Sequence, residues 1–149
     1  MRFMQSRKAL RWLALVVAVG FAGIGVAALA QEASKQELAA RGKVVYRVYC
    51  SNCHGASAKG DGPLTKILKS KPADLTTIVE RNKGTFPAEA VLQRIDGRTA
   101  VPAHGSGDMP VWGLSFQNPE KLGDQEPDVQ AKLAQLVAFL ESIQAPAKP

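Results

Sequence analysis

The stretch Cys50-Ser51-Asn52-Cys53-His54 decides how the rest of the sequence is interpreted. Two thiols three residues apart, followed directly by an imidazole, form the C-x-x-C-H pattern that is typical of c-type haem attachment. At the end of a helix, the thiols can reach the two vinyl groups of one porphyrin, and the imidazole can bind the iron from the same side. The pattern predicts Cys50 and Cys53 as covalent haem-binding residues and His54 as an axial iron ligand.

Three other interpretations of the two cysteines are open. A thioredoxin-like redox pair would need a preceding strand and a βαβ context, and the sequence offers neither. A zinc site on Cys50, Cys53, His54 and His104 has the right number of ligands, but two of them are adjacent and a second cysteine pair is missing. A structural disulfide between Cys50 and Cys53 requires only an oxidising compartment.

The composition sets the class of protein. The chain has 149 residues, of which 46% are hydrophobic and 21% charged, as expected for one globular domain plus one apolar segment. Two cysteines and two histidines exclude multi-cluster iron–sulfur proteins, zinc-finger arrays and disulfide-dense scaffolds. Residues 31–149 hold 15 basic and 13 acidic groups, so they carry only +2 of the net charge of +6. This balance does not favour nucleic acid as a partner.

The N-terminus predicts export. A basic start is followed by an uncharged run at 12–30 and by an A-x-A site at 28–30, so residues 1–30 are interpreted as a signal peptide cleaved after Ala30. The alternative is an uncleaved membrane anchor, because 19 uncharged residues can just span the hydrocarbon core of about 30 Å. Either way residues 31–149 are expected in the periplasm, free or anchored to the inner membrane.

The remaining pattern predicts an all-α chain of four or five short helices. A capping box at Ser34 and Glu37 opens a helix from Lys35 to about Cys50. Shorter helices are predicted at 73–80 and 85–95. The last helix starts at Asp128 and ends before Pro146, with one apolar stripe listed here: Val129, Leu133, Leu136, Val137, Leu140 and Ile143. Residues 97–113 form a long irregular stretch, which a compact domain rarely keeps without a function.

These features resemble the class I mono-haem c-type cytochromes of bacteria. The resemblance runs through most of residues 35–144 and rests on the following segments: the helix with Gly42 and Tyr46 before the C-x-x-C-H motif, Gly60-Asp61-Gly62-Pro63, Pro72-Ala73-Asp74-Leu75-Thr76, Ile95 with Gly97, Met109-Pro110-Val111-Trp112-Gly113, and the terminal amphipathic helix. It implies the cytochrome c fold over residues 31–149, with one covalent haem c. It also implies crossed terminal helices, with Gly42 facing the 136–140 turn beside Phe139.

The second iron ligand follows by elimination. Met109 is the only methionine outside the predicted leader, so it is the only thioether available to the iron. A His/Met pair fills the coordination sphere, raises the reduction potential relative to two histidines and points to electron transfer.

Four further residues are expected near the haem. The resemblance implies that the Pro63 carbonyl accepts the second ring N–H of the ligating histidine. Trp112 either donates to a haem propionate or packs on the ring, and Arg98 could pair with a propionate. His104, within a 98–108 segment that looks longer than in small members of the family, is an exposed loop histidine, a group near the haem edge or an alternative ligand.

The sequence therefore predicts a monomeric periplasmic carrier of single electrons, which docks transiently with redox partner proteins at its haem edge. Two alternatives are a haem-bearing subunit of a membrane-anchored or multi-subunit oxidoreductase and a haem peroxidase-like enzyme.

Overall fold

The computed structural model describes residues 31–98, 109–121 and 124–146, and every regular element within these ranges is helical. The chain divides into two compact units, residues 1–36 and 37–149. Residues 31–49 are helical, and α1 denotes the part at 37–49. The other helices are α2 (Ser51–His54), α3 (Ile78–Arg81), α4 (Ala88–Asp96), α5 (Trp112–Ser115) and α6 (Glu126–Ser142), with 3₁₀ turns at Pro63–Lys66 and Leu75–Thr77. Among the described helices, none is both long and apolar enough to cross a membrane.

The all-α fold class is confirmed, but several predicted helix ends are wrong. Residues 31–34 are already helical, so Ser34 does not cap the helix; its Oγ donates to the carbonyl of Gln31 instead, at 2.7 Å. The predicted helix at 73–80 is a 3₁₀ turn followed by α3. Helix α4 starts three residues after Thr85, because Pro87 occupies its N-cap position. Helix α6 starts two residues before the expected Asp128.

Helix α6 forms the centre of the core. Five residues of its predicted apolar stripe are buried, and Val129, Leu133 and Leu136 are at most 1% exposed. The sixth, Ile143, is half-buried and lies at the C-cap of the helix. Helices α4 and α5 both pack on α6, and α4 contributes the buried Ile95. The whole buried cluster consists of Tyr46, Ala58, Ile95, Phe116, Val129, Leu133, Leu136, Val137, Phe139 and Leu140. Burial of such side chains stabilises a fold by roughly 1.5–3 kcal/mol each before the entropy of ordering is subtracted.

Helices α1 and α6 approach each other closely at Gly42. A Cβ built on Gly42 would overlap the backbone carbonyl of Gln135 and lie 2.9 Å from the Cβ of Phe139. One turn further along α1, the rings of Tyr46 and Phe139 are 5.1 Å apart, centroid to centroid. Phe139 is therefore the aromatic neighbour that the sequence predicted, while the backbone contact lies one residue before the expected turn. The glycine is required here because α6 passes where a side chain would stand.

The end of α6 is joined to the segment that precedes α3. The side-chain amide of Gln144 donates from Nε2 to the carbonyls of Leu75 (2.8 Å) and Leu140 (2.6 Å). Its Oε1 accepts from the backbone N–H of Val79, at 3.0 Å. One side chain thus satisfies backbone groups that lie 65 and 69 residues away in the sequence.

Candidate functional site

The C-x-x-C-H motif lies on the short helix α2, which continues directly from α1. Cys50 occupies the N-cap of α2, and its N–H donates to the Tyr46 carbonyl of α1 at 2.8 Å. His54 is the last residue of α2, and its N–H donates to the Cys50 carbonyl at 2.9 Å. Because these bonds form helical turns, the motif has the geometry that brings two side chains three residues apart to one face.

The two thiols are free and partly buried, which differs from the disulfide interpretation. Within the described residues, no three His, Cys, Asp or Glu side chains are grouped so that they could hold a metal ion. The fourth residue of the zinc interpretation, His104, lies outside the described residues. Burial, and next the neighbouring Cys53, raise the pKa of the Cys50 thiol to about 12, so this thiol is protonated at neutral pH.

The loop after the motif folds back onto α2 through backbone hydrogen bonds. The N–H of Gly60 donates to the His54 carbonyl (2.8 Å), and the N–H of Gly62 donates to the Cys53 carbonyl (3.2 Å). A Cβ built on Gly62 would overlap the backbone of Asn52, since the two chain segments are in direct contact. The loop therefore fixes the end of α2, and with it the position of the imidazole.

A buried tyrosine closes the same loop from inside. Tyr46 is 2% exposed, and its hydroxyl donates to the Gly55 carbonyl at 2.6 Å. Burial, with smaller effects of Cys50 and Asp61, raises the pKa of Tyr46 well above its ordinary range. The phenol is therefore protonated and donates this hydrogen bond at neutral pH, and it links the core to the residue next to His54.

The ring of His54 points to a different acceptor from the predicted one. Its Nδ1 is 3.0 Å from the Ala73 carbonyl, not from that of Pro63. Pro63 opens a 3₁₀ turn, and the i→i+3 bonds of such a turn use its carbonyl. The next residue, Asp74, caps the following 3₁₀ turn, because its Oδ1 accepts from the N–H of Thr76 at 2.8 Å. If Nδ1 carries the donated proton, Nε2 is the ring nitrogen that is available to a metal.

Met109 is followed closely in sequence by residues of an aromatic cluster that reaches the residue before the motif. Its side chain packs against the buried core, as does that of Cys50. Three residues later, the Trp112 ring lies 5.6 Å from the Tyr49 ring and 5.4 Å from the Phe116 ring, centroid to centroid. Because Tyr49 directly precedes the motif, these contacts bring the two ends of the candidate site together. Trp112 thus packs on aromatic side chains of its own chain, and its role beside the haem stays a prediction.

Arg98 has carboxylate partners within the chain, so the expected pairing with a propionate is not supported. Its Nε and Nη2 donate to the two carboxylate oxygens of Asp96, at 2.6 and 2.9 Å. Its Nη1 and Nη2 donate to the two carboxylate oxygens of Glu126, at 2.6 and 2.8 Å. Four of its five N–H groups are thus used in two forked pairs. The sequence offered one signal for this cluster, the Asp96-Gly97-Arg98 run, and none for Glu126.

The residues present fit a covalently held haem. The donor set comprises two free thiols, an imidazole and a thioether, which are the side chains that c-type haems use. Large exposed apolar side chains lie on neighbouring elements. Leu64, in the 3₁₀ turn that packs on α2, is 40% exposed, and Ile67, which follows that turn, is 78% exposed. Leu114 on α5 is 57% exposed. An apolar macrocycle is the kind of group that such side chains would cover. The remaining predicted residue, His104, and the 99–108 part of the predicted loop lie outside the described residues.

One comparison with known proteins identifies relatives of this arrangement. A family model described as "Cytochrome C oxidase, cbb3-type, subunit III" matches residues 37–124. This range includes the C-x-x-C-H motif, the loop that follows it, α4, Met109 and α5. No curated protein and no solved structure matches the chain.

Proposed function

Because this chain belongs to the family of c-type cytochrome domains described as cbb3-type cytochrome c oxidase subunit III, and is a mono-haem c-type cytochrome, we propose that it carries single electrons between redox partner proteins in the periplasm. The family membership supports haem-based electron transfer, and the assignment as a mobile carrier is our proposal. The observation that carries it is the motif itself, with two free thiols on one helical turn and an imidazole fixed at the end of that turn.

Each residue of the site has a distinct role in this proposal. Cys50 and Cys53 would hold the haem through thioether bonds, which prevent its loss during repeated redox cycles. His54 and Met109 would occupy the two axial positions of the iron. The haem iron would supply one-electron exchange between its ferrous and ferric forms. If these two side chains filled both axial positions, they would exclude substrate from the iron and would favour transfer through the haem edge over peroxidase chemistry.

The experiment uses the purified full-length protein and tests attachment first. Acid–acetone extraction removes non-covalent haem, and thioether-bound haem stays with the denatured chain. We expect the wild type to retain its haem and the Cys50→Ala, Cys53→Ala double variant to lose it. Ser51→Ala is the matched control, because Ser51 lies between the cysteines and its Oγ donates to the Arg47 carbonyl of the preceding turn. Release of the haem from the wild type would contradict the proposal.

The second part of the test concerns the open iron site of an enzyme. A carrier with a His/Met-ligated iron should titrate reversibly with one electron and should bind cyanide weakly in the ferric state. A peroxidase-like enzyme needs an open position, so it should bind cyanide readily and show a high-spin ferric spectrum. Rapid reaction of the wild type with peroxide would favour the enzyme over the carrier.

The family description favours one second candidate, a haem-bearing subunit of a larger oxidoreductase. In that case the electrons would still pass through the same site, but the partner would be permanent. Membranes washed with high salt distinguish the two: a periplasmic carrier with a cleaved leader is released in the soluble fraction. A subunit remains with the membrane and co-purifies with other chains in mild detergent. The same fractions distinguish a cleaved leader from an uncleaved membrane anchor.

A further inference from the structure

We propose that Arg98, through its two carboxylate partners, is a positioning residue that holds Met109 at the iron. This inference rests on the proposed function, since it concerns the second axial ligand. It assigns a role to a side-chain cluster, formed by Asp96, Arg98 and Glu126, that the site described above does not use.

The segment that carries Met109 lies directly on the residues of this cluster. A Cβ built on Gly97 would be 3.4 Å from the Cα of Val111, which is ordinary contact. A Cβ built on Gly113 would overlap Asp96 Oδ1 and Arg98 Nε. Residues 111 and 113 therefore rest on the Asp96–Arg98 turn, and Met109 is two residues from the first of these contacts.

Gly97 makes the turn possible. It ends α4 in the left-handed conformation, with φ of 68°, and its N–H donates to the Gln93 carbonyl. The chain reverses there, so the Arg98 side chain returns to the carboxylate of Asp96, two residues earlier. Without this reversal, the guanidinium could not form the surface on which Gly113 lies.

Glu126 connects the cluster to the core. It is the first residue of α6, and the Arg98 guanidinium reaches it across 28 residues of sequence. Three residues later, Val129 is fully buried. The side chains of Asp96 and Arg98 are only 13% and 24% exposed, so their pair is partly shielded from water, unlike the exposed pair of Lys121 with Asp128. A partly buried forked pair has a more restricted geometry than a surface pair.

These contacts hold the segment that follows Met109 in one position. Arg98 holds α4 and α6 at a set separation, and the chain at 111–113 lies against that pair. A shift of the guanidinium would move Gly113, and with it the chain that leads back to Met109. A metal ligand that is misplaced by about 1 Å binds less tightly, so the cluster should set how readily another ligand displaces Met109.

The test measures imidazole binding to the ferric holoprotein. Imidazole is neutral at pH 8 and competes with Met109 for the iron. Its dissociation constant reports how firmly the thioether is held. We expect Arg98→Gln and Glu126→Gln each to tighten imidazole binding about 10-fold. Asp128→Asn is the matched control, because Asp128 lies in the same first turn of α6 and is also in an ion pair; its dissociation constant should match that of the wild type.

The pair of variants separates positioning from charge. Arg98→Gln removes a positive charge and Glu126→Gln removes a negative one, so a direct charge effect would move imidazole affinity in opposite directions. A positioning effect moves it in the same direction. Arg98→Lys keeps the charge but cannot form two forks, so it should remain closer to Arg98→Gln than to the wild type. Opposite shifts in the two glutamine variants, or affinities equal to the wild type, would overturn the inference.

A general loss of stability must also be excluded. Val137→Ala truncates a buried residue of α6 that is not in the cluster, and urea unfolding measures its stability beside that of the cluster variants. If Val137→Ala tightens imidazole binding as much as Arg98→Gln for the same loss of stability, the cluster has no specific role. Haem attachment is measured on the same samples by acid–acetone extraction. Retained haem with unchanged imidazole affinity therefore rejects this inference alone, whereas released haem rejects the proposed function.

Discussion

The two sides of the candidate site are held in different ways. On the His54 side, residues 46–75, backbone groups bond to one another, as in Gly60 to His54 and Gly62 to Cys53. On the Met109 side, residues 96–98, 109–121 and 124–126, side chains hold the chain through the Arg98 cluster and the rings around Trp112. Backbone contacts tolerate few substitutions, whereas side-chain contacts can be altered one at a time. The His54 side should therefore be rigid, and the Met109 side adjustable.

The largest effect is expected from Gly62→Ala on the His54 side. Its Cβ would overlap the backbone of Asn52 and Cys53, which cannot move without distorting the motif. We expect a loss of more than about 3 kcal/mol in the free energy of unfolding. Gly84→Ala is the control, because Gly84 has a positive φ but no atom within 4 Å of its built Cβ. It should lose only about 1 kcal/mol; equal losses at the two sites in urea unfolding would contradict the argument from backbone contact.

Met109→Ala tests the adjustable side. We expect the haem to remain attached, because the cysteines are untouched, while the reduction potential falls by roughly 100 mV or more as the thioether is lost. Such a fall corresponds to about 2.3 kcal/mol for one electron. Spectroelectrochemical titration measures it, and the weak red absorption band of a methionine-bound ferric haem should disappear. An unchanged spectrum would mean that another side chain is the second ligand.

Tyr46→Phe removes one hydrogen bond from the rigid side. The substitution keeps the ring contact with Phe139 but leaves the Gly55 carbonyl without its 2.6 Å donor in the core. We expect a loss of about 1–2 kcal/mol in the free energy of unfolding. Tyr49→Phe provides the comparison, since Tyr49 is 43% exposed and its recorded contacts are through the ring. A loss at Tyr49 as large as that at Tyr46 would show that the buried hydrogen bond has no special weight.

The smallest effect is expected from acid acting on the Arg98 cluster. The hydrogen bonds from Arg98, and next from Gln130, lower the pKa of Glu126 from 4.5 to about 2. The unfolded chain therefore takes up this proton first as the pH falls. The stability that the pair contributes is complete above pH 4.5 and is lost progressively towards pH 2. Asp96 acts in the same direction, since its pKa is also lowered, mainly by its hydrogen bond from Arg98.

Glu126→Gln isolates this contribution. Urea unfolding at pH 6, 4 and 3 should give a difference between wild type and variant that decreases as the pH falls. Glu80→Gln, which removes an exposed carboxylate from α3, should give a difference that does not follow this course. If the difference in the free energy of unfolding between wild type and Glu126→Gln stayed the same at every pH, ionisation of Glu126 would not contribute to stability.

The His54 side was largely predictable from sequence because its information is local. The spacing of Cys50, Cys53 and His54, and the glycines that follow, determine short-range backbone contacts. The acceptor of the His54 ring was the exception, because Ala73 lies 19 residues away and presents only a backbone carbonyl. Any residue type has such a carbonyl, so no side-chain pattern marks it.

The Met109 side was predictable only in part. Met109 stood out because no other methionine lies beyond the leader. The partner of Arg98 at the start of α6 could not be recognised in the sequence. Glu126 is 28 residues away, and the sequence alone does not distinguish it from the other acidic residues. The predicted loop at 97–113 also concealed α5, a single turn that is too short to show helical periodicity. Long-range pairs and one-turn helices are the two features that a pattern of apolar residues does not reveal.

The hydrogen bonds of Gln144 have a consequence for the order in which the protein folds during synthesis. Phe139, which contacts Tyr46, lies 85 residues after His54 in the sequence, and Gln144, which contacts the 75–79 segment, lies 90 residues after it. Both are therefore synthesised well after the motif. Contacts so distant in sequence form only after the last helix is available, and they close slowly because a long loop must be restricted. The cysteines are thus present on a chain whose packing is still incomplete. Attachment of a rigid, bulky group is easiest at that stage, before α6 arrives and confines the motif.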